Sequence, residues 1–324
     1  ITHCKRDFVK VLVTGANGFI GDSLCRHLAA TGHNVIAGLR SERPNPGWME
    51  TLVYGNLETR QYFFPALEGI DAIVHLAARV HMMRERGADV EAAHHLVNTE
   101  ITKKIAAQAA EAGVQKFVFL SSVKVNGENT QTEPFSEKND PAPNDAYGRS
   151  KLSAERALQR ISENTKLACT SLRVPLVYGP GVKANFGALL HSCGLPIPLP
   201  LGGITHNRRS LLFIGNLTDA IRTVLEDPSD RPESYLLSDG ENLSTADLVW
   251  RLRRSLRQPA PNLKVPVSVL TTFAGLAGKE ATIKRLCDSL EIDSSHFRQT
   301  FNWVPAFTVD QGLAATAAWH RAQH

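Results

Sequence analysis

"VLVTGANGFIGDSL", Val11–Leu24, opens on an apolar run, breaks at Gly15, and places Gly18 and Gly21 at three-residue spacing before a helical pattern begins. Each glycine meets a different steric need where strand, tight turn and helix meet over a diphosphate. Gly15 permits the turn, Gly18 lets backbone approach the pyrophosphate, and Gly21 lets the helix pack close on the strand. The helix start, from Asn17 through Gly18, Phe19 and Ile20 to Gly21, offers unpaired N–H groups and a positive dipole end to the phosphates. A glycine triplet alone means little. With a strand before it and a helix after it, the reading is a dinucleotide site.

The rest of the first half repeats that rhythm. Strand candidates are Lys10–Gly15, Asn34–Leu39, Thr51–Asn56, Asp71–Ala77, Lys116–Ser122 and a longer Ala168–Gly179. Helical patterns fall near Phe19–Thr31, Thr59–Glu68, His94–Ala112 and Tyr147–Ser162. Nearly continuous apolar strands alternating with helices imply a parallel sheet covered on both faces. After Gly179 prolines and glycines crowd the chain, and a later helix starts at the plausible cap Ser244. We therefore divide the chain into residues 1–179, a dinucleotide-binding domain, and 180–324, mainly a substrate lobe, with crossings between the two.

The 324 residues are 43% hydrophobic and 21% charged, the make-up of a soluble globular protein. A net charge of +4 is small for this length and gives no footprint for nucleic acid. Five scattered cysteines (Cys4, Cys25, Cys169, Cys193, Cys287) form no CxxC pair, so neither a disulfide framework nor zinc is expected, and a reducing cytoplasm fits. "ITHCKRDF" at the start is too short and polar for a signal peptide. "VPVSVLTTFAGLAG", Val265–Gly278, is too short to span a membrane. It reads as packing surface, with peripheral membrane contact as its other reading. His75, His81, His94 and His95 lack metal-ligand spacing. The run "RLRRSLR", Arg251–Arg257, reads as a solvated helix face with Leu252 and Leu256 turned inward.

The glycine spacing T-G-x-x-G-F-I-G resembles the extended short-chain dehydrogenase/reductase family, in particular its nucleotide-sugar epimerases, dehydratases and reductases. "DAIVHLAA" (Asp71–Ala78), "FVFLSSVKVNG" (Phe117–Gly127), "YGRSK" (Tyr147–Lys151) and "LRVPLVYGPG" (Leu172–Gly181) resemble the same family. The likeness thus extends over most of the chain. It implies an α/β fold with a Rossmann-like doubly wound parallel sheet and a smaller C-terminal α/β lobe. It also implies cofactor contacts from Asn56, Leu57, Leu76, Ala77 and Ala78. Asn56 stands where the family often has Asp.

NAD enzymes usually place a carboxylate at the end of the second strand, on the ribose hydroxyls. That place holds Leu39 and Arg40, with Arg43 close behind. A guanidinium there suits the 2′-phosphate of NADP, which we favour over NAD.

Tyr147 and Lys151, four residues apart at a helix start, share one face. A phenol titrates near pH 10, and an adjacent ammonium is expected to lower it toward neutrality. By resemblance, Ser122 ends the fifth strand, completes the catalytic trio and hydrogen-bonds the sugar oxygen, while Lys151 also holds the nicotinamide ribose. The family's 4,6-dehydratases show Thr-Asp-Glu at this point, and "SSV" (Ser121–Val123) supplies no such acid, so the resemblance does not lead us to expect dehydration. The resemblance further implies that Asn185, Arg209, Arg285 and Asp288 contact a nucleotide diphosphate. Leu176 takes the place of a family asparagine. Lys124, on the substrate side, and Asn126 replace residues common in galactose epimerases.

These features together point to C4 oxidation or reduction of a UDP-hexose or UDP-N-acetylhexosamine. Arg40 tilts the reading toward an NADPH-dependent reductase of a UDP-4-keto-6-deoxy sugar in surface polysaccharide synthesis. The alternative is a UDP-glucose or UDP-N-acetylglucosamine 4-epimerase with tightly bound NAD. A non-catalytic dinucleotide sensor would lose the Tyr or Lys, and both are present. A homodimer is implied, through the helices at His94–Ala112 and Tyr147–Ser162.

Overall fold

The structure, a computed structural model, describes residues 9–42, 47, 49–58, 67–79, 88–276, 278 and 280–323. The expected helix at Thr59–Glu68 lies mostly outside them, as do Cys4, Arg43 and His81.

Along the chain the elements are β1 (Lys10–Thr14), α1 (Phe19–Ala30), β2 (Asn34–Leu39), β3 (Glu50–Val53), β4 (Ala72–His75), α2 (Ala88–His95), α3 (Ile101–Glu111) and β5 (Lys116–Ser122). Next come α4 (Ala146–Asn164), β6 (Ala168–Val174), β7 (Leu176–Tyr178), α5 (Ala184–Gly194), β8 (Arg209–Phe213), α6 (Ile214–Glu226) and β9 (Ser234–Leu236). The remainder are β10 (Asn242–Leu243), α7 (Thr245–Leu256), α8 (Val267–Leu276), α9 (Glu280–Cys287), α10 (Ser295–Thr300) and α11 (Val309–Gln323).

Seven strands form a parallel sheet in the order β3-β2-β1-β4-β5-β6-β9. Val11 pairs with Val35 on one side and Ala72 on the other, so β1 is central and both its faces are buried. Strand periodicity then sorts side chains between two cores. Val11 and Val13 face α1 and α6, meeting Leu24, Leu28, Leu217 and Ile221. Leu12, Ile73 and Phe117 face α3 and α4, meeting Ile105, Ala109 and Leu158. Strand order reverses between β1 and β4, and the crevice outside the carboxyl ends of these strands is where such sheets take ligands.

A second sheet, β10-β8-β7, is the base of the smaller lobe. Tyr178, Phe186, Phe213, Leu248, Leu252 and Leu313 make its core with α5, α7 and α11. The lobe is not a separate length of chain. β9 returns beyond residue 180 to pair with β6, and α6 covers the first core.

Two boundaries differ from expectation. The strand expected over Ala168–Gly179 is two, because Pro175 has no N–H to continue a ladder, and β7 leaves the large sheet to pair with β8. The helix expected over His94–Ala112 is preceded by α2, described from Ala88, and a π-helical turn at Leu96–Glu100 leads into α3. Such turns insert a residue and re-aim side chains, here Asn98 and Thr99 toward α4.

Candidate active site

The glycine turn is built as its spacing demands. Gly15 has φ +69°, and a Cβ there would approach the Ala77 nitrogen to 3.0 Å. A Cβ on Gly21 would come within 2.2 Å of the Gly15 carbonyl oxygen and 2.7 Å of the Ala16 Cα. No side chain fits at Gly21 without moving α1 off β1. Gly18 caps α1 in extended conformation with no side-chain cap, so the first-turn N–H groups of Phe19, Ile20 and Gly21 point outward. Asn17 is exposed beside them, Ile20 packs on the sheet core, and the Phe19 ring reaches the smaller lobe at Gly181.

Leu76, Ala77 and Ala78 line the other side of this turn. Leu76 donates its N–H to the Thr14 carbonyl (3.3 Å), and Ala77 donates to Thr14 Oγ1 (3.3 Å). That hydroxyl also bonds His75 Nδ1 at 2.8 Å, and His75 Nε2 bonds Thr102 Oγ1 at 3.1 Å. Burial lowers His75 to about 3, so it is neutral and serves as a strut. Among the described residues no three His, Cys, Asp or Glu side chains gather as a metal site. Asn98 clamps the backbone after this stretch, accepting from Arg79 N (2.8 Å) and donating to Arg79 O (3.0 Å).

At the end of β2 the exposed residue is Arg40, after buried Leu39. The Tyr54 hydroxyl accepts from Gly15 N at 3.3 Å, so the residue that follows β3 also braces the turn. Asn56 is exposed and accepts from Glu58 N (3.0 Å), while Leu57 packs under the sheet.

α4 is anchored at its first turn. Asp145 caps it, accepting from Gly148 N at 2.7 Å. A Cβ on Gly148 would lie 2.7 Å from the Lys124 carbonyl, so the turn packs tightly on the segment after β5. This brings Tyr147 and Lys151 to the end of β5. Lys151 Nζ donates to the Leu120 carbonyl (2.8 Å), lies 4.4 Å from the Phe119 ring centroid and 5.7 Å from that of Tyr147. Ser122, two residues past Leu120, accepts from Lys124 N at 3.3 Å.

The electrostatics depart from expectation. Tyr147 is pushed up, by burial first and by the Asp145 carboxylate second, and not lowered by its neighbour. Lys151 is itself lowered to about 7 by burial, against the pull of Glu155. A lysine that has lost its water and is half neutral at pH 7 gives little charge to hold a phenolate.

Three of the residues expected to contact substrate meet. Arg209 Nη1 donates to the carbonyls of Arg285 (2.8 Å) and Asp288 (2.9 Å), which fixes β8 against α9. Burial lowers Arg209, with Asp288 opposing. Asn185 is exposed in the first turn of α5. Lys124 is engaged by Asp145 and by Glu128 at 3.4 Å. Asn126 is buried, accepting from Arg173 at 3.1 Å, and is a structural residue. Leu176 is 43% exposed.

Sequence reading missed the polar network behind this site. Glu155, one turn beyond Lys151, accepts three bonds from Arg173 (2.7–3.1 Å) and one from Ser121. The available signal was an arginine inside the apolar strand "SLRV" together with an acid at the i+4 position from Lys151.

The NAD dependent epimerase/dehydratase family matches residues 11–238. The UDP-glucose 4-epimerase of Vibrio cholerae is 36% identical over 308 residues, covering 95% of this chain and 94% of that protein. The N-acetyl-alpha-D-glucosaminyl-diphospho-ditrans,octacis-undecaprenol 4-epimerase of Escherichia coli O157:H7 is 26% identical, covering 94% and 93%. The solved structure of MoeE5 in complex with UDP-glucose and NAD is 25% identical with TM-score 0.74, covering 97% of this chain and 99% of that one.

Proposed function

Since the chain belongs to the NAD dependent epimerase/dehydratase family of enzymes, we propose that it is a 4-epimerase of a UDP-linked hexose or N-acetylhexosamine. The observation that carries this reading is the seating of Tyr147 and Lys151 at the end of β5, where Lys151 Nζ donates to Leu120 O two residues from Ser122. The Vibrio cholerae relative supports the choice of reaction.

The glycine turn fits a dinucleotide, since Cβ atoms at Gly15 and Gly21 would fill the cradle. The outward N–H groups of Phe19, Ile20 and Gly21 would hold its phosphates, with Leu76–Ala78 and Asn56 beside it. When bound, the dinucleotide supplies a hydride acceptor and returns the hydride. Tyr147, as its phenolate, would take the proton from the C4 hydroxyl as the ketone forms and return it to the same oxygen after the sugar has turned, with Ser122 hydrogen-bonding that oxygen. Arg209 and Arg285, on joined elements, support holding the diphosphate while the sugar turns.

A second reading is favoured by Arg40, and by the upward shift that keeps Tyr147 a proton donor. It is the NADPH-dependent reduction of a UDP-4-keto-6-deoxy sugar. We also infer a second copy as partner. A groove of about 690 Å³ lies between α3 and α4, lined by Lys103, Ala107, Glu111, Arg156 and Arg160, on the helices expected to pair.

Chromatography of UDP-glucose and UDP-N-acetylglucosamine incubated with purified protein tests the reaction. Conversion to the C4 epimers without added cofactor, release of NAD on denaturation, and loss of turnover in Tyr147→Phe are expected. NADPH consumption with UDP-4-keto-6-deoxy-N-acetylglucosamine, and no epimer, would move the assignment to the reductase. Turnover undiminished in Tyr147→Phe would overturn both.

A further inference from the structure

The segment Val265–Gly278 is packing surface on one side only. α8 contains no charged residue, and only one side of it, through Leu270 (8% exposed) and Ala274 (7%), turns into the lobe. Phe273 is 67% exposed, Val269 40% and Val267 37%. Leu263 (46%) and Ile197 (50%) extend the apolar face. These pieces are tied together. Leu263 N donates to Leu199 O, and buried Arg253 donates to the carbonyls of Ile197, Ala260 and Pro261. That arginine, expected on a solvated face, is instead the bolt of this corner.

Isolated apolar residues on a surface need no explanation, but a contiguous set does. Two features identify what covers it. The two threonine hydroxyls on α8 are already satisfied, since Thr271 and Thr272 both donate to the Ser268 carbonyl at 2.9 Å. Little polar desolvation therefore opposes burying this helix in an apolar medium. The second is charge. From Leu248 through Lys279 the chain carries six basic residues and no acidic one, against a whole-chain net of +4. Of these, Arg251 is paired with Glu241 and Asp310 and Arg253 is buried, while Arg254, Arg257 and Lys264 are exposed at the end of α7 and in the link into α8. Glu280, at the start of α9, is the first acid beyond.

We propose that α8, with Leu263 and Ile197, seats in the interfacial layer of an anionic phospholipid bilayer, its basic flank meeting the headgroups. α8 is about 15 Å long and lies in the interface without spanning it. A second copy is the less fitting occupant, because a two-fold contact would set the same basic flanks against each other. The placement does not rest on the reaction proposed above.

Co-sedimentation of the full chain with extruded vesicles tests this. Binding is expected to vesicles of equal parts phosphatidylglycerol and phosphatidylcholine, weakening with salt, and not to phosphatidylcholine alone. Phe273→Asp should lower the partition at least about tenfold, Phe273→Ser less, and Lys264→Glu should weaken binding to the anionic vesicles and its salt dependence. All three positions are exposed, so an unchanged circular dichroism spectrum and melting temperature are expected alongside. Wild-type protein that stays in the supernatant with anionic vesicles overturns the proposal. So does equal binding by Phe273→Asp. A wild type indifferent to vesicles whose oligomeric state changes in Phe273→Asp assigns the face to self-association, and overturns the lipid.

Discussion

Lys151 has a measurable signature of its own. Its ammonium loses water on folding and regains only one carbonyl bond, which lowers it from 10.5 to about 7. Between those values the unfolded chain binds the proton and the folded chain does not. Stability must then rise with pH across that window, at up to about 1.4 kcal/mol per pH unit. Denaturant midpoints measured from pH 7 to 10 should show the rise, and Lys151→Met should flatten it. The Tyr147–Lys151 pair was legible because a four-residue spacing fixes a shared helix face whatever lies around it. The direction of its electrostatics was not, because burial is a property of the assembled site. Arg253 was misread for the same reason: a charge in a sequence does not say whether water or buried carbonyls await it.

At the scale of elements, the Glu155–Arg173 pair joins α4 to β6 and, through Ser121 and Asn126, to the end of β5. Both side chains are buried, at 5% and 8% exposure. Removing one partner leaves an uncompensated charge, so Glu155→Gln should cost about 3–5 kcal/mol of unfolding free energy. Replacing both with apolar side chains of similar volume, Glu155→Leu with Arg173→Met, should cost less than either single change. Urea unfolding of the three variants checks the order. Strands and helices of the first half were legible from alternation of pattern, since each strand is buried on both faces and reads as an apolar run. The break at Pro175 and the π-helical turn at Leu96–Glu100 were not. The first depends on which sheet a strand joins, and the second on fitting Asn98 and Thr99 to α4.

At the scale of the molecule, the α3–α4 groove sets a test of assembly. Ala107→Arg places a further cation beside Lys103, Arg156 and Arg160 without disturbing the core beneath. Sedimentation velocity should show the wild type as a dimer and this variant shifted toward monomer. The dinucleotide half was plain in the chain, whereas the architecture of the second half was less so, because its lobe is assembled from pieces separated by returns to the large sheet. That threading has a consequence for biosynthesis. When residue 179 has left the ribosome, β6 still lacks β9, and the face of β1 and β5 awaiting α6 is bare. At about 5–20 residues per second, several seconds pass before Leu236 emerges and closes the edge. During that interval the nascent chain is an unfinished sheet with an open flank, and a holdase that occupies it should raise the yield of native protein.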